Sequence, residues 1–160
     1  MENVEKEADA YIELKFGPRW KYIAVVRAFL QNFMALSSTD NGRGDKIAMA
    51  VSELLENAVK YATGDETDVG VWLNGSEDSI AVAVTNRASP ESIKILQQNW
   101  ASVMDGDPLQ VYIKKMQEAA TRNDSKSQLG LVRIRYETGA DMSLDVKGDK
   151  VTIKLVHRNK

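Results

Sequence analysis

The stretch AVSELLENAVKYA, residues 50–62, decides how the rest of the chain is read. Ile47, Val51, Leu54 and Ala58 recur at the spacing of one helical face, so the pattern predicts an amphipathic helix from about Asp45 to Ala62, with Asp45 as its cap. Glu53 and Asn57 stand one turn apart and project side by side, with Lys60 and Tyr61 in the next turn. Two readings follow. These groups form a solvated flank supported by a Glu56–Lys60 pair, or they bring a carboxylate and an amide together at a reactive site.

Working outward, Thr63-Gly64-Asp65 ends the helix. Two alternating runs come next, Val69, Val71, Leu73 and Ile80, Val82, Val84, with Asn74-Gly75 as the hairpin signal between them. A second hairpin closes the chain, Met142, Leu144, Val146 facing Val151, Ile153, Leu155 across Lys147-Gly148-Asp149. Upstream, YIELKF alternates as a strand ended by Gly17-Pro18. From Trp20, the residues Ile23, Val26, Leu30 and Phe33 mark a helix opened by Pro18 and broken by SSTDNGRGD.

Between the hairpins lies an insert from Pro90 to Gln128, helical in pattern and interrupted by Asp105-Gly106-Asp107-Pro108. That interruption echoes the start of a calcium loop, but Pro108 and the lack of later acidic ligands favour a helix cap at Asp107. LGLVRIRYE then predicts a short helix stopped by Gly139. Strand, two helices, hairpin, helical insert, helix and hairpin make one α+β domain over 1–160. The architecture expected is a two-layer sandwich, a mixed, mostly antiparallel sheet of about five strands covered on one face by helices.

Composition narrows the chemistry. With 43% hydrophobic residues in 160, the chain can bury a core without staples. A formal net charge of -2 and no long Lys/Arg run argue against nucleic acid as a partner. The absence of Cys and the single His157 remove thiol and zinc chemistry. The acidic start MENVEKEADA is unlike a signal or transit peptide, and no apolar run approaches membrane-spanning length, so a cytoplasmic protein is expected.

The order of elements, with SELLEN on the second helix, resembles the GHKL or Bergerat-fold superfamily of histidine-kinase-like ATPases, closest to the anti-sigma-factor serine kinases of bacterial partner switching. The resemblance spans Tyr11 to Val156. It implies ATP and magnesium as cofactors, Glu53 as general base, and Asn57 as magnesium ligand on the nucleotide phosphates. That division suits the residues, since a carboxylate can accept a hydroxyl proton and magnesium prefers hard oxygen donors. The insert over 90–128 corresponds to an ATP lid. SQLGL corresponds to the second glycine box, whose amides cradle phosphate at a helix N-terminus, which places Lys126, Gly130 and Leu131 at the phosphate end, and the resemblance adds Lys60 to the nucleotide-binding residues.

The chain also departs from that pattern. Gln128 stands where the family has a glycine. Where the family places D-x-G-x-G, this chain reads VTNRASPES, with Asn86 in the acid's place, Ala88 near the first glycine and Pro90 close by. An amide oxygen still accepts a hydrogen bond from the adenine amino group but without charge, and side chains in place of glycine narrow the pocket. Arg122 and Arg133 also fall near the phosphate end. The function implied is a signalling regulator that binds a STAS-domain antagonist or a sigma factor and phosphorylates it on Ser/Thr from ATP. The alternative is a non-catalytic interaction module of the same fold. Members of the family often pair as homodimers.

Overall fold

The computed structural model describes residues 10–17, 21–37, 41–61, 69–75, 79–121 and 126–158. Its strands are β1 (Ala10–Phe16), β2 (Val69–Gly75), β3 (Ser79–Arg87), β4 (Asp141–Lys147) and β5 (Lys150–Arg158). Its helices are α1 (Lys21–Ser37), α2 (Asn41–Tyr61), α3 (Pro90–Met104), α4 (Pro108–Thr121) and α5 (Lys126–Thr138).

The alternating runs pair as their periodicity demands. The sheet order is β1-β2-β3-β5-β4, and every pairing is antiparallel. The parallel component expected of a mixed sheet is therefore absent among the described residues. At the centre, β3 lies along β5 with Val82 opposite Leu155 and Val84 opposite Ile153. The Thr85 and Thr152 hydroxyls hydrogen-bond at 2.9 Å in the same register. Period two sends Ile80, Val82 and Val84 with Val151, Ile153 and Leu155 to one face, and all six are buried. The helices cover that face. Leu30 of α1, Val51, Leu54 and Leu55 of α2, and Leu131 and Ile134 of α5 complete the core at 2% exposure or less.

The turns separate sound local signals from misleading ones. Between β4 and β5 the chain reverses through Gly148-Asp149, with Gly148 at φ 62° and Lys147 opposite Lys150, so the expected hairpin forms but Lys147, read as part of the turn, ends the strand. Asn74-Gly75 makes no such turn. Both residues belong to β2, paired with Ala81 and Ile80, and residues 76–78 lie outside the described residues. Gly139, at φ 62°, ends α5 as expected, its N–H donating to Arg135 O at 3.2 Å. Asp107 caps α4 through Oδ2, which accepts from Gln110 N at 3.2 Å.

Helix α2 starts earlier than its sequence suggests. Asp45 lies inside it, and Asn41-Gly42-Arg43-Gly44 is already helical. Two tertiary contacts override the glycines' poor helix propensity. A Cβ on Gly44 would sit 3.2 Å from Met34 Cβ, so the bare Cα lets α1 and α2 approach closely. Arg43 is buried and reaches across the fold, Nε donating to His157 Nδ1 at 3.1 Å and Nη2 to His157 O at 3.0 Å. The opening of α1 through Pro18 and Trp20 lies outside the described residues.

Among the described residues the insert holds two helices, α3 and α4, each packed on α5. Ser89 caps α3, its Oγ accepting from Ser92 N at 3.2 Å, and Pro90 occupies the first turn. Ile93, Leu96 and Val103 of α3 and Val111 of α4 join the core. Arg135 of α5 closes the far end of α3, donating from Nη1 to Val103 O at 2.9 Å and from Nη2 to Gly106 O at 2.7 Å. No described helix is long and apolar enough to cross a membrane. Replacing Arg135 with Met should lower unfolding free energy by about 1–3 kcal/mol, because two charge-assisted bonds to carbonyls are lost, and urea denaturation will measure it.

Candidate functional site

Helix α2 carries its acid and amide on the side facing β3, α3 and α5. Its apolar stripe points to the sheet, so Glu53 and Asn57, on the edge of that stripe, are drawn partly or wholly inside. The Glu53 side chain keeps 23% of its surface, and Asn57 only 5%.

The two groups meet different neighbours. Asn57 joins Leu54, Ala58 and Tyr61 of α2, Val84 and Asn86 of β3, Leu96 of α3 and Ile153 of β5 around a hollow of about 10 Å³. That is room for about one water. Asn57 Nδ2 is buried with no hydrogen-bond partner among the described residues. A buried amide nitrogen left this way costs about 1–3 kcal/mol, so the site asks for an acceptor oxygen there. Asn86, also buried, directs its own amide nitrogen to Arg87 O at 3.3 Å.

Glu53 faces α5 instead. A Cβ built on Gly130 would stand 2.6 Å from Glu53 Oε2, while Arg133 Nη1 lies 3.7 Å from Glu53 Oε1. Burial raises the Glu53 pKa above its ordinary 4.5, with the like charge of Glu56 adding to the rise, Arg133 and Arg27 opposing it, and Glu137 again raising it. Desolvation and the two like charges together outweigh the two arginines.

The remaining residues singled out in the sequence disperse. Gly130 lies within α5, which begins at Lys126, so SQLGL is helix rather than an opening loop, and the first-turn amides belong to residues before Gly130. Its missing Cβ admits Glu53. Leu131 is 2% exposed in the core. Lys60 is exposed, its ammonium 5.6 Å from the ring centroid of Tyr61, and does not line the hollow. Lys126 starts α5, and its side chain lies outside the described residues. Ala88 is buried and donates its N–H to Asp149 O at 2.9 Å, so the segment with Ala88, Ser89 and Pro90 is a strand end running into a capped helix.

Leu96, Val84 and Ile153 as lining residues were not singled out by sequence reasoning, although each lies on an apolar stripe that marks it as buried. Arg27 and Glu137 beside Glu53 carry no local signal at all.

These features fall within a known family. The sequence pattern of the histidine kinase-like ATPase domain matches residues 16–135, most of the chain, and the chain belongs to that family. Among solved structures, a chain in the crystal structure of the SiaB–SiaC complex from Pseudomonas aeruginosa is similar in fold. The match covers 98% of this chain and 93% of that one at 16% identity, with a TM-score of 0.63. The nucleotide-free catalytic domain of histidine kinase ThkA matches over 92% of this chain and 97% of its own, at 14% identity and a TM-score of 0.46. Comparison with curated proteins found no match.

The direction of the Glu53 shift fixes a pH dependence. A carboxyl whose folded pKa is raised stabilises the fold fully below its unfolded pKa, and that contribution is lost as pH rises through the folded value. Glu53→Gln should therefore raise the urea midpoint at pH 7, and the gain should vanish as pH falls below 4.5. Equal midpoints across that range would contradict the burial cost.

Proposed function

We propose that the chain is a signalling regulator of the partner-switching kind, which binds a protein partner and phosphorylates it on Ser or Thr from ATP. Family membership over residues 16–135 supports nucleotide binding. The observation that carries the reading to this chain's own residues is the buried, unpartnered Nδ2 of Asn57 at the hollow beneath α3. The structural neighbour from a two-protein complex supports a protein partner. A STAS-domain antagonist or a sigma factor is the partner type we favour.

The residues fit the nucleotide in chemistry. Asn57 offers an amide to phosphate oxygens or to magnesium, and Asn86 an amide carbonyl to the base. Among the described residues no cluster of three or more acids and imidazoles could hold a metal. Magnesium would therefore depend on Asn57 together with phosphate oxygens, as that ion commonly does. Bound ATP with magnesium would supply a transferable phosphoryl group. Glu53 accepts the proton released by the partner's hydroxyl as that oxygen attacks, and its raised pKa brings it nearer the working range of a general base. Leu96 must yield to admit a purine, because the hollow as it stands holds about one water.

The size of the hollow and the capped turn at Ser89 favour a second reading, an interaction module that has kept the fold and lost the nucleotide. Calorimetry separates the two. With magnesium and ATP, the wild-type chain should give saturable heat, Asn57→Ala should bind at least about tenfold more weakly, and Glu53→Ala should bind normally yet transfer nothing. No heat at millimolar nucleotide would leave the interaction module alone.

A further inference from the structure

The Glu53 carboxylate touches α5 at two points three residues apart on one helical face. Oε2 lies where a Cβ on Gly130 would stand, and Oε1 is 3.7 Å from Arg133 Nη1. One turn further along, Glu137 Oε1 accepts from Arg133 Nε at 3.1 Å. The guanidinium is thereby held between two carboxylates, one on its own helix and one on α2. Around Glu53 stand Glu56 on α2, Arg27 on α1, and Arg133 and Glu137 on α5.

We propose that Arg133 is a positioning residue for Glu53: with the bare Cα of Gly130 it seats the carboxylate against α5, and Glu137 aims the guanidinium. Its consequence for catalysis rests on the reading of Glu53 as proton acceptor, but the seating does not. Gly130 then serves to admit a carboxylate, and Arg133 does more than add positive charge near a phosphate. A proton acceptor must be held in one rotamer to be effective, and a half-buried Glu otherwise has three side-chain torsions to settle. A planar fork shared between two carboxylates supplies that restraint where a flexible ammonium supplies less.

The test uses the whole chain with carbon-13-labelled glutamate, reading the Glu53 side-chain carboxyl resonance at pH 7, identified by its loss in Glu53→Gln. Arg133→Gln should move that resonance away from its wild-type position, and Arg133→Lys should return it only part of the way. Gly130→Ala should move it as well while leaving the urea midpoint at or above wild type. The obstructing atom is the end of a flexible side chain, and Ala is the better helix former by about 1 kcal/mol. An unmoved resonance in both Arg133→Gln and Gly130→Ala would overturn the proposal. The readout needs no nucleotide, so a chain that binds no ATP would lose the kinase reading while this seating stands or falls on its own.

Discussion

The close approach of α5 to α2 is the constraint on which the site depends. The missing side chain at residue 130 leaves room for the Glu53 carboxylate between the helices, the group that a Cβ there would displace. Burial there works against ionisation, and the arginines on α1 and α5 work for it. The net result is a carboxyl that ionises less readily than one in water. Asn57, one turn on, faces the opposite problem: a neutral amide fully inside, with its nitrogen unanswered.

These two side chains are held in place by different elements. Asn57 is governed by the sheet and α3, because Val84, Asn86, Ile153 and Leu96 close its hollow. Glu53 is governed by α5. The helix that closes one and the helix that seats the other are themselves tied, since Arg135 of α5 holds one carbonyl in the last turn of α3 and another just beyond it. Movement of α3 away from the hollow would therefore strain bonds made by the same helix that carries Arg133. The stacking of Tyr112 on Tyr136, ring centroids 5.4 Å apart, joins α4 to that unit as well.

Periodicity made the core helix, the strands and the closing hairpin legible, because each repeats a pattern that its own residues bury. It marked Glu53 and Asn57 as neighbours for the same reason. What the pattern could not reveal were partners set by tertiary approach. Arg43 and His157 are 114 residues apart, and Arg135 meets carbonyls 32 and 29 residues before it. No local spacing encodes such pairs. Glycine misled twice: near Gly42 and Gly44 it read as a break where contact with Met34 makes a helix, and at Gly75 as a turn where pairing makes a strand. In both, packing decided what propensity left open. At Gly130 the residue type was noticed, but what fills the missing Cβ's place is an acid from another helix.

The pairing of β3 with β5 has a consequence for how the chain folds. The two central strands are joined by contacts such as Thr85 with Thr152, 67 residues apart, and the whole helical insert lies between them. Closing a loop of that length before the sheet's middle can form raises the entropic barrier, and it places this chain among those whose topology slows folding. Until β5 emerges during synthesis, the edge of β3 that β5 will cover has no native partner, which makes the nascent chain vulnerable to misassociation at that stage.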